Sequence, residues 1–197
     1  MQVYTDITLL PNDDIGHHFL WEKLFQQVHL ALVEHKDAEG KSPFGITFPE
    51  FNAEKNRLGR KLRIFAADQA AMEHLALPRR LERLSDYVHT TSIRPVPERI
   101  EQTVRYCRLQ KKSNPERLVR RAARRQGISV EEARAQRKDT EPQWTKAAYI
   151  WVKSLSSGER FRLFIQQGIG EKQLGYGAQF TLYGLSVSGA GGFLPHF

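Results

Sequence analysis

The hydrophobic period of the first 93 residues switches repeatedly between that of a strand and that of a helix. That order constrains the fold more than any other feature of the chain. Residues 3–10 alternate apolar and polar, with Pro11 behind them, which is a strand signal. Residues 16–35 follow with a helical period, and Leu20, Leu24, Val28, Ala31 and Leu32 share one stripe. Two strand-like runs, 44–48 and 58–65, precede an alanine-rich helix at 68–77 and a shorter helix at 79–84. Asp68 is the predicted N-cap of the first of these helices, and Pro78 separates the two. Residues 87–93 read as a further strand. Strand, helix, strand, strand, helix, strand is the split βαβ order of a ferredoxin-like domain. Many functions share that fold, so the order alone names none.

Arg94-Pro95-Val96-Pro97 breaks regular structure and is the predicted linker. The chain then divides into a ferredoxin-like domain at 1–94 and a β-rich domain at 95–197, an α+β protein overall. In the second part, residues 103–109 read as a strand, two helices follow, and strands are expected at 147–153, 160–166 and 179–185, before a glycine-rich tail. A chain of 197 residues can bury a real core without disulfides or a structural metal. Its 40% apolar and 26% charged residues exclude collagen-like, disulfide-rich and largely disordered classes. No run approaches the ~18 apolar residues of a membrane span, and the opening MQVYTDITLL lacks the basic start of a signal peptide. The single Cys107 cannot form an internal bridge, which suits a reducing compartment. The expectation is a cytoplasmic protein with no membrane partner.

Charge is the second constraint. The chain carries 30 basic and 22 acidic side chains, and the surplus is concentrated. Residues 101–138 hold Arg105, Arg108, Lys111, Lys112, Arg117, Arg120, Arg121, Arg124, Arg125, Arg134, Arg137 and Lys138 against only Glu101, Glu116, Glu131 and Glu132. This window nets +8, and the rest of the chain nets zero. A neutral body with one basic segment is the footprint of a polyanion binder, most often of nucleic acid. Ser113 with Glu116 fits a capping box, and Asn114 with Pro115 fits an N-cap and first-turn proline; either starts a helix that Gly127 stops. Arg117, Arg120, Arg121, Arg124 and Arg125 then fall within an arc of about 140°. Leu118, Val119, Ala122 and Ala123 occupy the other side. Like charges at this spacing repel one another, and closely spaced phosphates would relieve the strain.

Residues 115–126, Gly127 and residues 129–138 have the outline of a helix-turn-helix, which reads DNA with its second helix. Here that second helix opens with Glu131 and Glu132, and Ser129-Val130-Glu131-Glu132 reads as a capping box. An RNA hairpin fits better, because the narrow A-form major groove is accessible near the end of a short stem. Arg108 and Gln110, just before the helix, are the side-chain types that pair bidentately with guanine and adenine edges; they are equally at home as exposed strand residues.

Signals for chemistry are individually weak. No zinc spacing, HExxH or Gly-rich phosphate loop is present, so no metal or cofactor is expected. His29 lies at the polar edge of the first predicted helix, at helical spacing from Phe25 and Leu32. Such a histidine is commonly a half-buried surface residue. Residues 154–158 are most simply a turn between two strands, and Tyr183 a half-buried strand tyrosine.

These signals line up in one family. Over essentially its whole length the chain resembles the CRISPR-associated endoribonuclease of type I-F systems, which processes precursor CRISPR RNA at the repeat hairpin. The resemblance is most specific in Lys112-Ser113-Asn114-Pro115-Glu116-Arg117-Leu118, in Phe161-Arg162-Leu163-Phe164-Ile165, and in Tyr183-Gly184-Leu185-Ser186 with Gly191-Gly192-Phe193. It implies that His29 is the general acid or base of strand scission. Ser154 would hold the ribose whose 2′-hydroxyl attacks, and Tyr183 would orient the histidine. Arg108 and Gln110 would read bases at the foot of the stem, and Phe161 would stack on the terminal base pair. Arg120, Arg121, Arg124 and Arg125, with Arg117 on the same arc, would enter the groove. At the helix end Gln126 stands where a further basic or imidazole group is expected, which bears on one phosphate contact and not on the docking. The implied reaction needs no metal and leaves a 2′,3′-cyclic phosphate and a 5′-hydroxyl. The implied partners are the repeat hairpin and the other subunits of the type I-F surveillance complex.

Overall fold

The computed structural model describes residues 1–109, 115–136, 147–154, 157–170, 180–187 and 192–197. Two antiparallel sheets and a few helices make it a mixed α and β protein. Its compact units are residues 1–109 with 147–197, and residues 110–146.

In the larger unit the first sheet is built on β1 (Val3–Leu9). Helix α1 (His17–Glu34) leads to β2 (Gly45–Thr47), which pairs with β3 (Lys61–Ala66). Helix α2 (Gln69–His74), helix α3 (Leu77–Arg80) and one 3-10 turn lead on to β4 (Val88–Thr90). The strand order is β2-β3-β1-β4, with every pair antiparallel. The second sheet has β6 (Gln102–Arg108), β7 (Tyr149–Lys153), β8 (Arg160–Gly170) and β9 (Leu194–His196), in the order β7-β8-β6-β9.

One core serves both sheets. The α1 stripe buries Leu20, Trp21, Leu24, Phe25, Val28, Ala31 and Leu32, in a cluster with Ile7 and Leu9 of β1, Ile150 of β7 and Leu163 and Ile165 of β8. Each buried Leu, Ile, Val or Phe side chain among them contributes about 1.5–3 kcal/mol by leaving water. Tyr106 of β6 is fully buried among them. Its hydroxyl donates to the Phe48 carbonyl at 2.8 Å and accepts from Gln167 at 2.8 Å, and burial pushes the phenol above its ordinary range.

Several expectations are corrected. Arg94 and Pro95 are not a linker: they form β5 (Arg94–Pro95) against Tyr4 and Val3 of β1, and the Val96 N–H donates to the Gln2 carbonyl. An edge position tolerates the missing proline N–H. Nor do the compact units divide at 94/95. Pro78 does not separate two helices; it sits in the first turn of α3, where its fixed φ is welcome. The break falls at Ala76, whose φ of 48° leaves the helical region. Residues 180–187 are bridges around a turn instead of a strand, since Gly184 at φ 69° reverses the chain. Strand β9 has too short a pattern, interrupted by Pro195, to be read beforehand.

In the smaller unit, α4 (Pro115–Gln126) and α5 (Val130–Ala135) pack Val119, Ala123 and Ala133 together. Gly127, at φ 66°, ends α4. Ser129 and Glu132 form the expected capping box: the Ser129 hydroxyl accepts from the Glu132 N–H at 3.1 Å, and the Glu132 carboxylate from the Ser129 N–H at 2.9 Å. Helix α4 begins at Pro115, and the choice between caps at Ser113 and Asn114 lies outside the described residues.

Asp6 and Arg63 face each other across β1 and β3, with side chains 8% and 7% exposed. Two parallel bonds of 2.7 and 3.0 Å join them. The guanidinium also lies 4.4 and 4.1 Å from the ring centres of Tyr4 and Phe197 and donates to the Phe197 carbonyl. Removing one partner strands a buried charge, so Asp6→Ala is expected to lower the unfolding free energy by about 3–5 kcal/mol. Urea denaturation reads this as a lower midpoint; an unshifted midpoint would mean the pair adds nothing to stability.

Candidate functional site

Helix α1 carries His29 into the core instead of leaving it at a half-exposed edge: the residue is 6% exposed. What covers it comes from the turn at 181–185. The Nδ1 atom lies 2.8 Å from the Leu182 carbonyl oxygen. A carbonyl can only accept, so Nδ1 carries the proton and the neutral ring has its lone pair on Nε2. The Tyr183 ring stacks on the imidazole, with centres 4.5 Å apart and planes at 18°, and runs nearly parallel to Phe25 at 6.5 Å. Phe25 and His29 are one helical turn apart, so one face of α1 receives the whole tyrosine ring. Gly184 makes this approach possible: its φ is 69°, and a Cβ there would come within 2.7 Å of Ile46. Burial pushes the His29 pKa below its ordinary value, and the bond to Leu182 offsets part of that.

Ser154 opens the loop between β7 and β8. Its N–H donates to Glu159, its carbonyl accepts from Gly158, and its hydroxyl accepts from the Ser157 N–H at 3.2 Å. Residues 155 and 156 of the turn expected at 154–158 lie outside the described residues. The loop is attached to α1 on both sides: the Lys153 N–H donates to the Gln26 side chain at 3.3 Å, and Arg160 pairs with Glu22.

Arg108, at the end of β6, and Phe161, on β8, come together, with the guanidinium 5.4 Å from the ring centre. Phe161 is partly buried against the core. Gln110 and the Arg117 side chain lie outside the described residues. In the smaller unit Arg120, Arg121, Arg124 and Arg125 are exposed on α4, while Val119 and Ala123 are buried, as the helical arc predicts. The sequence singles out His29, Ser154 and Tyr183 through the resemblance, but gives no sign of Leu182 or of the attachments made by Glu22 and Gln26. The Leu182 contribution is a main-chain carbonyl, invisible to any reading of side chains. Among the described residues, no three His, Cys, Asp or Glu side chains are grouped to hold a metal ion, and no helix is long and apolar enough to cross a membrane.

Comparison with known proteins now decides the family. The family described as CRISPR-associated protein (Cas_Csy4) matches residues 4–197. The chain belongs to this family. A relative from Pseudomonas aeruginosa (strain UCBPP-PA14), named CRISPR-associated endonuclease Cas6/Csy4, is 38% identical over 199 residues, covering 100% of both chains. A relative of the same name from Escherichia coli (strain UTI89 / UPEC) is 32% identical over 188 residues, covering 95% of this chain and 97% of its own. In this family member, Pro115 to Leu118 opens α4, Phe161 to Ile165 lies on β8, and Tyr183 belongs to the turn that covers α1.

The lowered His29 pKa has a consequence for stability. Because the folded chain prefers the neutral ring, this contribution is fully present above pH 6.5 and is lost as the pH falls through the folded-state pKa. Burial lowers His17 and His196 as well, so the wild type must be compared with His29→Gln. The urea midpoint of the wild type is expected to fall more steeply below pH 6.5 than that of the variant. Parallel curves would show that the His29 ring titrates as it does in the unfolded chain.

Proposed function

We propose that this chain is a metal-independent endoribonuclease. It binds the repeat stem-loop of precursor CRISPR RNA and cleaves at the 3′ base of the stem. The observation that carries this reading is the buried imidazole of His29. Leu182 holds its Nδ1 proton, Tyr183 stacks on its face, and burial keeps it neutral. Such a ring offers Nε2 as a proton acceptor, so His29 is the general base. Nε2 takes the proton of a ribose 2′-hydroxyl, and the oxygen attacks the adjacent phosphorus. The bond to the 5′-oxygen breaks, and that oxygen takes a proton from water or from the new imidazolium. The products are a 2′,3′-cyclic phosphate and a 5′-hydroxyl. Ser154 holds the attacking ribose, and Tyr183 fixes the plane of the imidazole. The names of the two relatives, both CRISPR-associated endonucleases, support the class of reaction.

Binding falls to other residues. Arg108 and Gln110 read bases at the foot of the stem, Phe161 stacks on its terminal pair, and Arg117, Arg120, Arg121, Arg124 and Arg125 take phosphates in the groove. Helix α1 supplies the histidine, the connection after β7 and the turn at 181–185 supply Ser154 and Tyr183, and α4 supplies the grip. The protein acts in the cytoplasm and stays on the mature CRISPR RNA as a subunit of the type I-F surveillance complex.

His29→Ala is expected to leave hairpin affinity nearly intact and to cut the cleavage rate by roughly 10²-fold or more. A hairpin with a 2′-deoxy nucleotide just upstream of the scissile bond should bind and stay intact. Wild-type cleavage should survive excess EDTA, and kcat/KM should rise with pH to a plateau, with a midpoint below 6.5. Cleavage of the deoxy substrate would rule out internal attack, and a rate that falls as pH rises would make His29 the acid.

The groove contacts are tested by salt. Replacing Arg124 or Arg125 with Ala should each lower the slope of log affinity against log salt by about 0.7–0.9. Unchanged slopes in both variants would remove α4 from the interface.

A further inference from the structure

We propose that Glu22 and Gln26 are positioning residues for the cleavage step, holding the Ser154 loop in register with His29. The inference rests on the roles given above to His29 and Ser154. Residues 22, 26 and 29 are spaced four and three apart, so they lie on one stripe of α1. Lys153 and Arg160 are the last facing pair of the β7–β8 hairpin, and the loop with Ser154 hangs from that pair. Both members of the pair are attached to the stripe. The Lys153 N–H, on an edge strand, donates to Gln26 at 3.3 Å, while the Arg160 guanidinium pairs with the Glu22 carboxylate.

Arg160 is held ready for this pairing. Its guanidinium lies over the Trp151 ring at 4.4 Å, which restricts the rotamers of an otherwise free side chain. Glu22 is only 15% exposed in its side chain, so the pair is less screened than an ordinary surface pair, although Arg160 is 53% exposed. Packing of Val152 and Phe161 against the core fixes the hairpin as a body. The two attachments to α1 add a constraint at the end of the hairpin, next to Ser154, because each ends on the helix that carries His29. A shift of ~1 Å between reacting groups can cost about 100-fold in rate, whereas binding of the stem draws on other residues.

The test uses the whole protein and a matched repeat hairpin at saturation, with single-turnover rates. Glu22→Arg and Arg160→Glu should each slow cleavage by about 10- to 100-fold, and the double reversal should restore most of the rate. Gln26→Leu should slow cleavage by a similar factor without moving the pH midpoint or the hairpin affinity. Urea midpoints identify any variant that is simply unfolded, and the double reversal then carries the decision. Wild-type rates in the three single variants, or a double reversal no faster than its parents, would overturn the proposal. A wild-type protein that leaves the hairpin uncut, or His29→Ala at full rate, would instead strike the functional reading itself.

Discussion

The carbonyl of Leu182 accepts a hydrogen bond from an imidazole that α1 has carried into the core, and most of the larger unit must be assembled before that bond can form. The two residues are 153 positions apart, so nothing local brings them together. Helix α1 must first bury its apolar stripe against both sheets. The turn at 181–185 must then be held against β2, where the Ile46 N–H donates to the Gly184 carbonyl and Phe180 bridges to Ser42. A single hydrogen bond is worth only about 1 kcal/mol net. The bond at His29 therefore cannot hold the turn, and the fully buried Phe180 and Leu185 do that. What the bond decides is which ring nitrogen carries the proton. Packing supplies the position, and the hydrogen bond supplies the chemical state.

On the function proposed above, the same burial suits a histidine better than a carboxylate. A carboxylate at a site 6% exposed would itself have to be neutral, and so could not accept a proton. An imidazole loses its charge on burial, and although its proton affinity falls, more of it stands in the neutral form that can accept a proton. The Tyr183 ring adds to this by covering one face without offering a charge.

Much of the fold was legible because local rules and tertiary structure agreed. The α1 stripe, strand β1, the Asp68 cap and the Ser129 capping box all appear where period and chemistry put them, although β1 is buried on both faces. Two of the failures share one cause: Arg94-Pro95 and Pro78 read as breakers, and an edge and a first helical turn had no need of the missing N–H. The candidate site was legible in its parts and not in its arrangement. His29 read as a helix-edge residue, because the helix alone leaves it there; the cover comes from the far end of the chain. Nothing in the sequence singles out Glu22 and Gln26, for the same reason. Their partners, Arg160 and the main chain of Lys153, lie more than a hundred residues away.

Charge in this chain is as segregated as its chemistry. Within α4 the one carboxylate is Glu116, which stands 3.4 Å from Arg120 and 3.7 Å from Arg134. Such exposed pairs contribute little, so the arginine face keeps nearly its full field. That field reaches about 8–10 Å at physiological salt before it is screened. The protonation state of His29 depends on desolvation and a carbonyl dipole, neither of which salt screens to the same degree. On the function proposed above, salt would thus act on the grip and leave the proton affinity of His29 nearly alone, and the product would stay bound by phosphates that cleavage leaves in place.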